Sequence, residues 1–271
     1  MFEYDQSAAL DIQEVGQEQR GDVTVRDISF AVPGSDRRVG AYLVTPPGTG
    51  PFAGVLYVHW YEPPKPSSDR TQFLEEAVRM AGRGTVSLLV DTMWSPHDWY
   101  VTRDLASDYD ASTRQVIELR RALDVLTSQP GVDAGRVALV GHDFGGMFGS
   151  IVAGWDNRVR SYNIIAATPR FQEWYLFGAK LEGDELDAYI RRISELDPIA
   201  HIARAENSAF FFQFALTDRF VPEEKALEFY GAAPGPKQIA WYEAEHEMNA
   251  PQAQEDRVAW LSERLGLQVA V

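Results

Sequence analysis

The chain contains no cysteine, which excludes disulfides, thiolate catalysis and cysteine-ligated metal. Positive charge is scarce: 25 Lys and Arg stand against 40 Asp and Glu, a formal net charge of −15. That balance disfavours nucleic acid and anionic membrane surfaces as partners. No apolar run approaches the ~18 residues of a membrane span. The acidic opening Met1-Phe2-Glu3-Tyr4-Asp5 lacks the basic-then-apolar pattern of a secretory leader. A cytoplasmic location is the resulting expectation. No G-x-G-x-x-G or Walker sequence follows the first strand-like segments, and no H-E-x-x-H or close His spacing occurs. Neither a nucleotide cofactor nor a metal is therefore expected. These exclusions leave a small molecule as the partner. A homodimer is open, since nothing in the sequence sets the oligomeric state.

What is present is a globular composition, 45% hydrophobic over 271 residues, enough for one large α/β domain. Residues 1–21 are polar and acidic and read as a loose N-terminal tail, with a single domain over 22–271. Residues 23–32 and 39–44 alternate like strands around the turn Pro33-Gly34-Ser35-Asp36 and predict an antiparallel hairpin. Strand-like runs then recur at 54–59, 86–91, 136–140, 159–167, 209–216 and 238–242. Helical segments lie between or after them, at 71–81, 106–126, 146–153, 226–230 and 251–265. This alternation predicts a mostly parallel, eight-stranded sheet with helices on both faces. Residues 168–208 break the rhythm with Phe171, Trp174, Tyr175, Leu176 and Phe177 and a charged helical stretch, and are read as a small lid inserted over the strand ends.

The most informative motif is Gly141-His142-Asp143-Phe144-Gly145-Gly146. It joins the apolar run 136–140 to a helical run and has the G-x-nucleophile-x-G form of a nucleophile elbow, with aspartate at its centre. Small residues beside a strained central residue allow the turn to pack against the following helix and the neighbouring strand. Asp218 ends the next-to-last strand, shortly before Val221-Pro222, and His246 lies on the loop after the last strand. The order nucleophile, acid, histidine puts all three at the C-terminal ends of strands in one sheet.

On these residues the chain resembles the α/β-hydrolase superfamily, and most nearly its dienelactone-hydrolase-like branch, over roughly residues 22–265. The dienelactone hydrolase nucleophile is cysteine, and this chain has none. Asp143 is instead similar to the nucleophile of epoxide hydrolases and haloalkane dehalogenases, which place tryptophan where this chain has Phe144. The resemblance implies a cofactor-free hydrolase with an Asp143–His246–Asp218 triad. Asp143 would form a covalent alkyl ester with a small apolar epoxide or halogenated substrate, and His246 would activate water to release it. The oxyanion hole is expected from the N–H of Phe144 and that of Trp60 or Tyr61. His59, Trp60, Tyr61, His142, Trp174, Tyr175 and Phe177 are expected substrate-binding residues, with Tyr61, Tyr100 and Tyr175 as candidate proton donors to an opening epoxide.

Plainer readings stand beside these. Asp143 could cap a helix, Asp218 could be a turn residue, and His246, between Glu245 and Glu247, could be a solvated loop histidine. His59 and His142 would orient backbone, and His97 and His201 would be ordinary loop or helix residues. Two alternative functions follow: an ester or lactone hydrolase of the dienelactone hydrolase type, and a catalytically silent binding protein on a hydrolase scaffold.

Overall fold

In the computed structural model, residues 1–63 and 65–267 are described; Pro64 and residues 268–271 lie outside the described residues. The chain runs β1 (Gln13–Arg20), β2 (Val23–Ala31), β3 (Arg38–Thr45), β4 (Phe52–Val58), α1 (Leu74–Ala81), β5 (Thr85–Val90), α2 (Trp99–Thr102) and α3 (Asp108–Thr127). It continues through β6 (Val132–His142), α4 (Phe144–Ala153), β7 (Ser161–Ile165), α5 (Gln172–Tyr175), α6 (Gly183–Ile193), α7 (Pro198–Ile202), β8 (Ala209–Ala215), α8 (Glu223–Ala232), β9 (Lys237–Tyr242) and α9 (Pro251–Arg264). The strands form one sheet in the order β1-β2-β3-β5-β4-β6-β7-β8-β9. The ladders from β1 to β3 and from β3 to β5 are antiparallel, and the remainder are parallel.

The central strands are buried along their whole length because both faces are covered. Their period of two divides the core. Leu56 and Val58 of β4, Val137 and Leu139 of β6, and Phe210, Phe212 and Phe214 of β8 pack with α3, α4 and α8. Val55 and Tyr57, Ala138 and Val140, and Phe211 and Ala215 pack on the other side with α1 and α9. Among the described residues no helix is long and apolar enough to cross a membrane.

The sheet has nine strands rather than the expected eight, and residues 1–21 are not a loose tail. Gln13–Arg20 pairs along β2, from Gln13 opposite Ser29 to Arg20 opposite Val23, with a bulge at Glu14/Gly16. Phe2 is fully buried, and buried Arg120 and Arg121 donate to the carbonyls of Phe2, Ala8 and Ala9. The sequence hides this strand because it is a polar sheet edge. Its side chains are mostly exposed, so backbone pairing rather than an apolar face holds it. The segment between β7 and β8 carries α5, α6 and α7. Phe171, Tyr175, Ile193 and Leu196 are buried in the core on the α3–α4 side.

Candidate active site

The elbow is a tight turn from the end of β6 into the start of α4. Asp143 has φ 58° and ψ −121°, a conformation that costs a non-glycine residue free energy and persists only where packing enforces it. The packing is close: a Cβ on Gly141 would lie 2.3 Å from the Gly145 carbonyl oxygen, and one on Gly145 would lie 2.2 Å from that of Val58. Both glycines are thus required by contact, and they wedge the turn against the end of β4.

That wedge sets the Asp143 carboxylate between two groups. Oδ2 accepts the N–H of Tyr61 at 2.7 Å, and the N–H of Phe144 further supports the carboxylate charge. Oδ1 faces His246 Nε2 at 3.7 Å, an ion-pair contact rather than a hydrogen bond. The opposite ring nitrogen, Nδ1, donates to Asp218 Oδ2 at 2.8 Å. Asp218 is held in turn by the N–H groups of Phe220 and Val221, at 2.7 and 3.1 Å on Oδ1. The orientation of each group is therefore set by the next.

A second network braces the first from behind. Trp60 N–H donates to Gln72 Oε1 at 2.9 Å, and the Gln72 amide donates to His142 Nδ1 at 2.6 Å. This fixes the proton of His142 on Nε2, which donates to the carbonyl of His246 at 2.8 Å. The Trp60 ring stacks on His142 with centroids 5.0 Å apart. A cavity of about 290 Å³ opens in front of the carboxylate, with Tyr61, Tyr100, Phe144, Trp174 and Phe220 on its walls and Phe177 at its mouth. Among the described residues, no three His, Asp or Glu side chains form a metal-ligating group.

No protein-family model matches the chain, and no curated protein does. Solved structures do. Against the acetyl xylan esterase from Paenibacillus sp. R4 the TM-score is 0.76 at 18% identity, over 95% of this chain and 90% of that one. Acetyl xylan esterase 1 from Thermoanaerobacterium sp. JW/SL YS485 gives 0.76 at 14%, over 96% and 89%. A Klebsiella pneumoniae protein assigned as a dienelactone hydrolase gives 0.66 at 14%, over 91% and 99%. The chain has the α/β-hydrolase fold.

Within this hydrolase fold the expected site residues divide. Asp143, His246, Asp218, Phe144 and Tyr61 converge, and Trp174 and Phe177 reach the cavity. Trp60 is not an oxyanion donor, because its N–H is committed to Gln72, and its buried ring packs on His142 instead of meeting the cavity. His59 is buried, bonded to the Trp60 carbonyl and to Ser95, and does not line the cavity. His142 stays behind the elbow, where it orients the backbone of His246. Tyr175 is fully buried on the core side of α5, its hydroxyl paired with Ser112 at 2.8 Å, so it is neither a wall nor a proton donor. Tyr61 and Tyr100 do line the cavity, and both hydroxyls reach backbone carbonyls across it: Tyr61 that of His97, Tyr100 those of Trp174 and Phe177. His97, expected to be an ordinary loop residue, lies in the wall. Glu62, Val101 and Phe220 also line it, although no motif marked them. His201 is structural, accepting the Trp155 indole N–H.

Burial opposes charge on His246, but the carboxylates of Asp143 and Asp218 outweigh it and push the imidazole up to about 9. Burial also pushes the Asp143 carboxyl above its ordinary range, with His246 and the two N–H groups resisting. A histidine whose folded pKa exceeds its unfolded value of ~6.5 stabilises the fold fully below that value. The contribution is lost as pH rises through about 9. Unfolding free energies from urea titrations of the parent and His246→Gln should therefore differ most at about pH 6.5 and just below it. The difference should shrink by roughly 3 kcal/mol between about pH 6.5 and 9. A difference that stays flat with pH would show that no such ion pair forms.

Proposed function

We propose that the protein is a cofactor-free hydrolase in which Asp143 attacks a saturated carbon of a small epoxide or alkyl halide and is released by water. One observation carries this reading: the Asp143 Oδ2 itself occupies the N–H cradle, 2.7 Å from the Tyr61 nitrogen. With Oδ2 anchored, Oδ1 is the free nucleophile at the cavity floor. It displaces the epoxide oxygen or the halide, and an alkyl ester forms on Asp143. The departing oxygen of an epoxide takes a proton from a wall hydroxyl, Tyr61 or Tyr100, and the imidazolium of His246 then returns a proton to that tyrosine.

Esterification removes the charge of Asp143. One of the two carboxylates that hold His246 protonated is then gone, so the imidazole can lose its proton and serve as a base. It takes a proton from water, the hydroxide adds to Asp143 Cγ, and the negative charge develops on Oδ2 inside the cradle. Donors so placed are worth ~3 kcal/mol each in comparable sites. Collapse expels the alkoxide, which takes the proton held by His246 and leaves as the alcohol, and the new carboxyl group gives its proton back to His246 to restore the ion pair. Asp218 keeps the ring oriented and stabilises its cation.

The second reading, hydrolysis of an ester or lactone, has the better support from the neighbours, which include acetyl xylan esterases and a protein assigned as a dienelactone hydrolase. In that reaction the N–H cradle would have to hold the substrate's own carbonyl oxygen. The Asp143 oxygen stands there, which favours the aspartyl route.

Exchanging the central residue separates the two. On the first reading the parent opens styrene oxide and leaves p-nitrophenyl acetate nearly untouched, and Asp143→Ser empties the cradle and reverses the preference. A parent that cleaves p-nitrophenyl acetate efficiently and ignores styrene oxide would decide for the ester reading.

A further inference from the structure

The cavity walls say more about the substrate than that it is apolar. Its aromatic lining, Tyr61, Tyr100, Phe144, Trp174, Phe177 and Phe220, surrounds a space to which, among the described residues, Glu62 adds the one carboxylate besides the triad's Asp143. Among the described residues no Lys or Arg contributes to the lining. The rings stand at different angles: Phe144 and Trp174 meet edge to face at 81°, and Tyr61 is tilted 55° from Phe144. Ring faces and edges therefore close the space from several sides.

Glu62 follows Tyr61, whose N–H holds Asp143, so its side chain starts at the wall beside the nucleophile. Among the described residues it has no salt-bridge partner. Lys65, the nearest lysine in sequence, is taken by Glu247 at 2.9 Å. Burial raises the Glu62 carboxyl above its ordinary range; His246 lowers it and Asp143 raises it, with Lys65 and Glu247 opposing each other more weakly, so it shares the electrostatic space of the triad. A carboxylate without a salt-bridge partner among the described residues, beside aromatic faces and in a chain of net charge −15, is a setting that attracts an organic cation and repels an anion.

We propose that the substrate carries an alkylated ammonium group, held by the Glu62 carboxylate and the aromatic walls while its electrophilic carbon meets Asp143. This rests on the hydrolase reading for its chemistry, but the binding claim stands separately. A quaternary ammonium offers methyl surface to the rings and charge to Glu62, and it cannot donate a proton to the nucleophile. Anionic substrates such as haloacetates are disfavoured by the same walls.

The test uses matched pairs of equal shape. Tryptophan fluorescence titration of the parent with (3-hydroxyphenyl)trimethylammonium and with 3-tert-butylphenol should give a cation Kd lower by about tenfold or more. Glu62→Gln should remove most of that ratio while leaving the Kd of the neutral compound in place. Equal affinity of the pair in the parent, or an unchanged ratio in Glu62→Gln, would overturn the proposal. Turnover of glycidyltrimethylammonium against 4,4-dimethyl-1,2-epoxypentane separates the two layers. If the cation binds selectively and neither epoxide opens, the cage stands and the epoxide chemistry falls. If both epoxides open at equal kcat/KM, the chemistry stands and the cage falls.

Discussion

His246→Gln should halt the enzyme with its nucleophile esterified. The first step needs the Asp143 carboxylate, which Tyr61 and Phe144 continue to hold. The second needs a base at the position of Nε2, 3.7 Å from Oδ1, and glutamine offers none. Loss of such a base typically costs roughly two to four orders of magnitude. Hydrolysis of the ester should therefore become slower than its formation. Mixed with styrene oxide, the variant should consume one equivalent in a burst and gain the mass of one substrate on the peptide containing Asp143. If Asp143 served only as a general base for direct water attack, no burst and no mass gain would occur.

Asp143→Asn should abolish turnover by roughly four orders of magnitude or more, because a neutral amide does not supply the attacking carboxylate oxygen. The fold should survive. Asparagine is among the residues that tolerate positive φ, the shape is conserved, and the flanking glycines keep their contacts. The diagnostic readout is the histidine. With Asp143 neutralised, His246 keeps Asp218 as its salt-bridge partner, and burial weighs more heavily against its cation. Its pKa should fall from about 9, visible as an imidazole titration by NMR. A titration unchanged in Asp143→Asn would mean that the elbow carboxylate does not act on the ring in solution.

The sequence made the elbow legible because its geometry admits few residues. A strand must end, a turn with positive φ must follow, and backbone must pass within van der Waals contact on both sides, so glycine recurs at Gly141 and Gly145. Asp218 and His246 were legible through chain order and their positions after apolar runs. The alternating core was legible for the same reason: period two is imposed by burial on both faces. Other features left no pattern to read. β1 is mostly polar and exposed, Val15 included, so backbone pairing defines it. Gln72 connects Trp60 to His142 through a side-chain amide whose partners are fixed only by the tertiary fold. Trp174 and Tyr175 are adjacent on a four-residue helix, too short for a phase to be read, and they point to different places: Trp174 to the cavity and Tyr175 to Ser112. Trp60 and Tyr61 differ likewise in which N–H is spent behind the site and which in it.

Oxygen tracing during a single turnover tests the covalent role of Asp143 most directly. Enzyme in excess over styrene oxide, in heavy-oxygen water, should release a first diol carrying an unlabelled enzyme oxygen. The label should be found in the Asp143 carboxylate when its peptide is weighed. Label in that first diol with Asp143 unlabelled would contradict the covalent route and leave the aspartate at most a base.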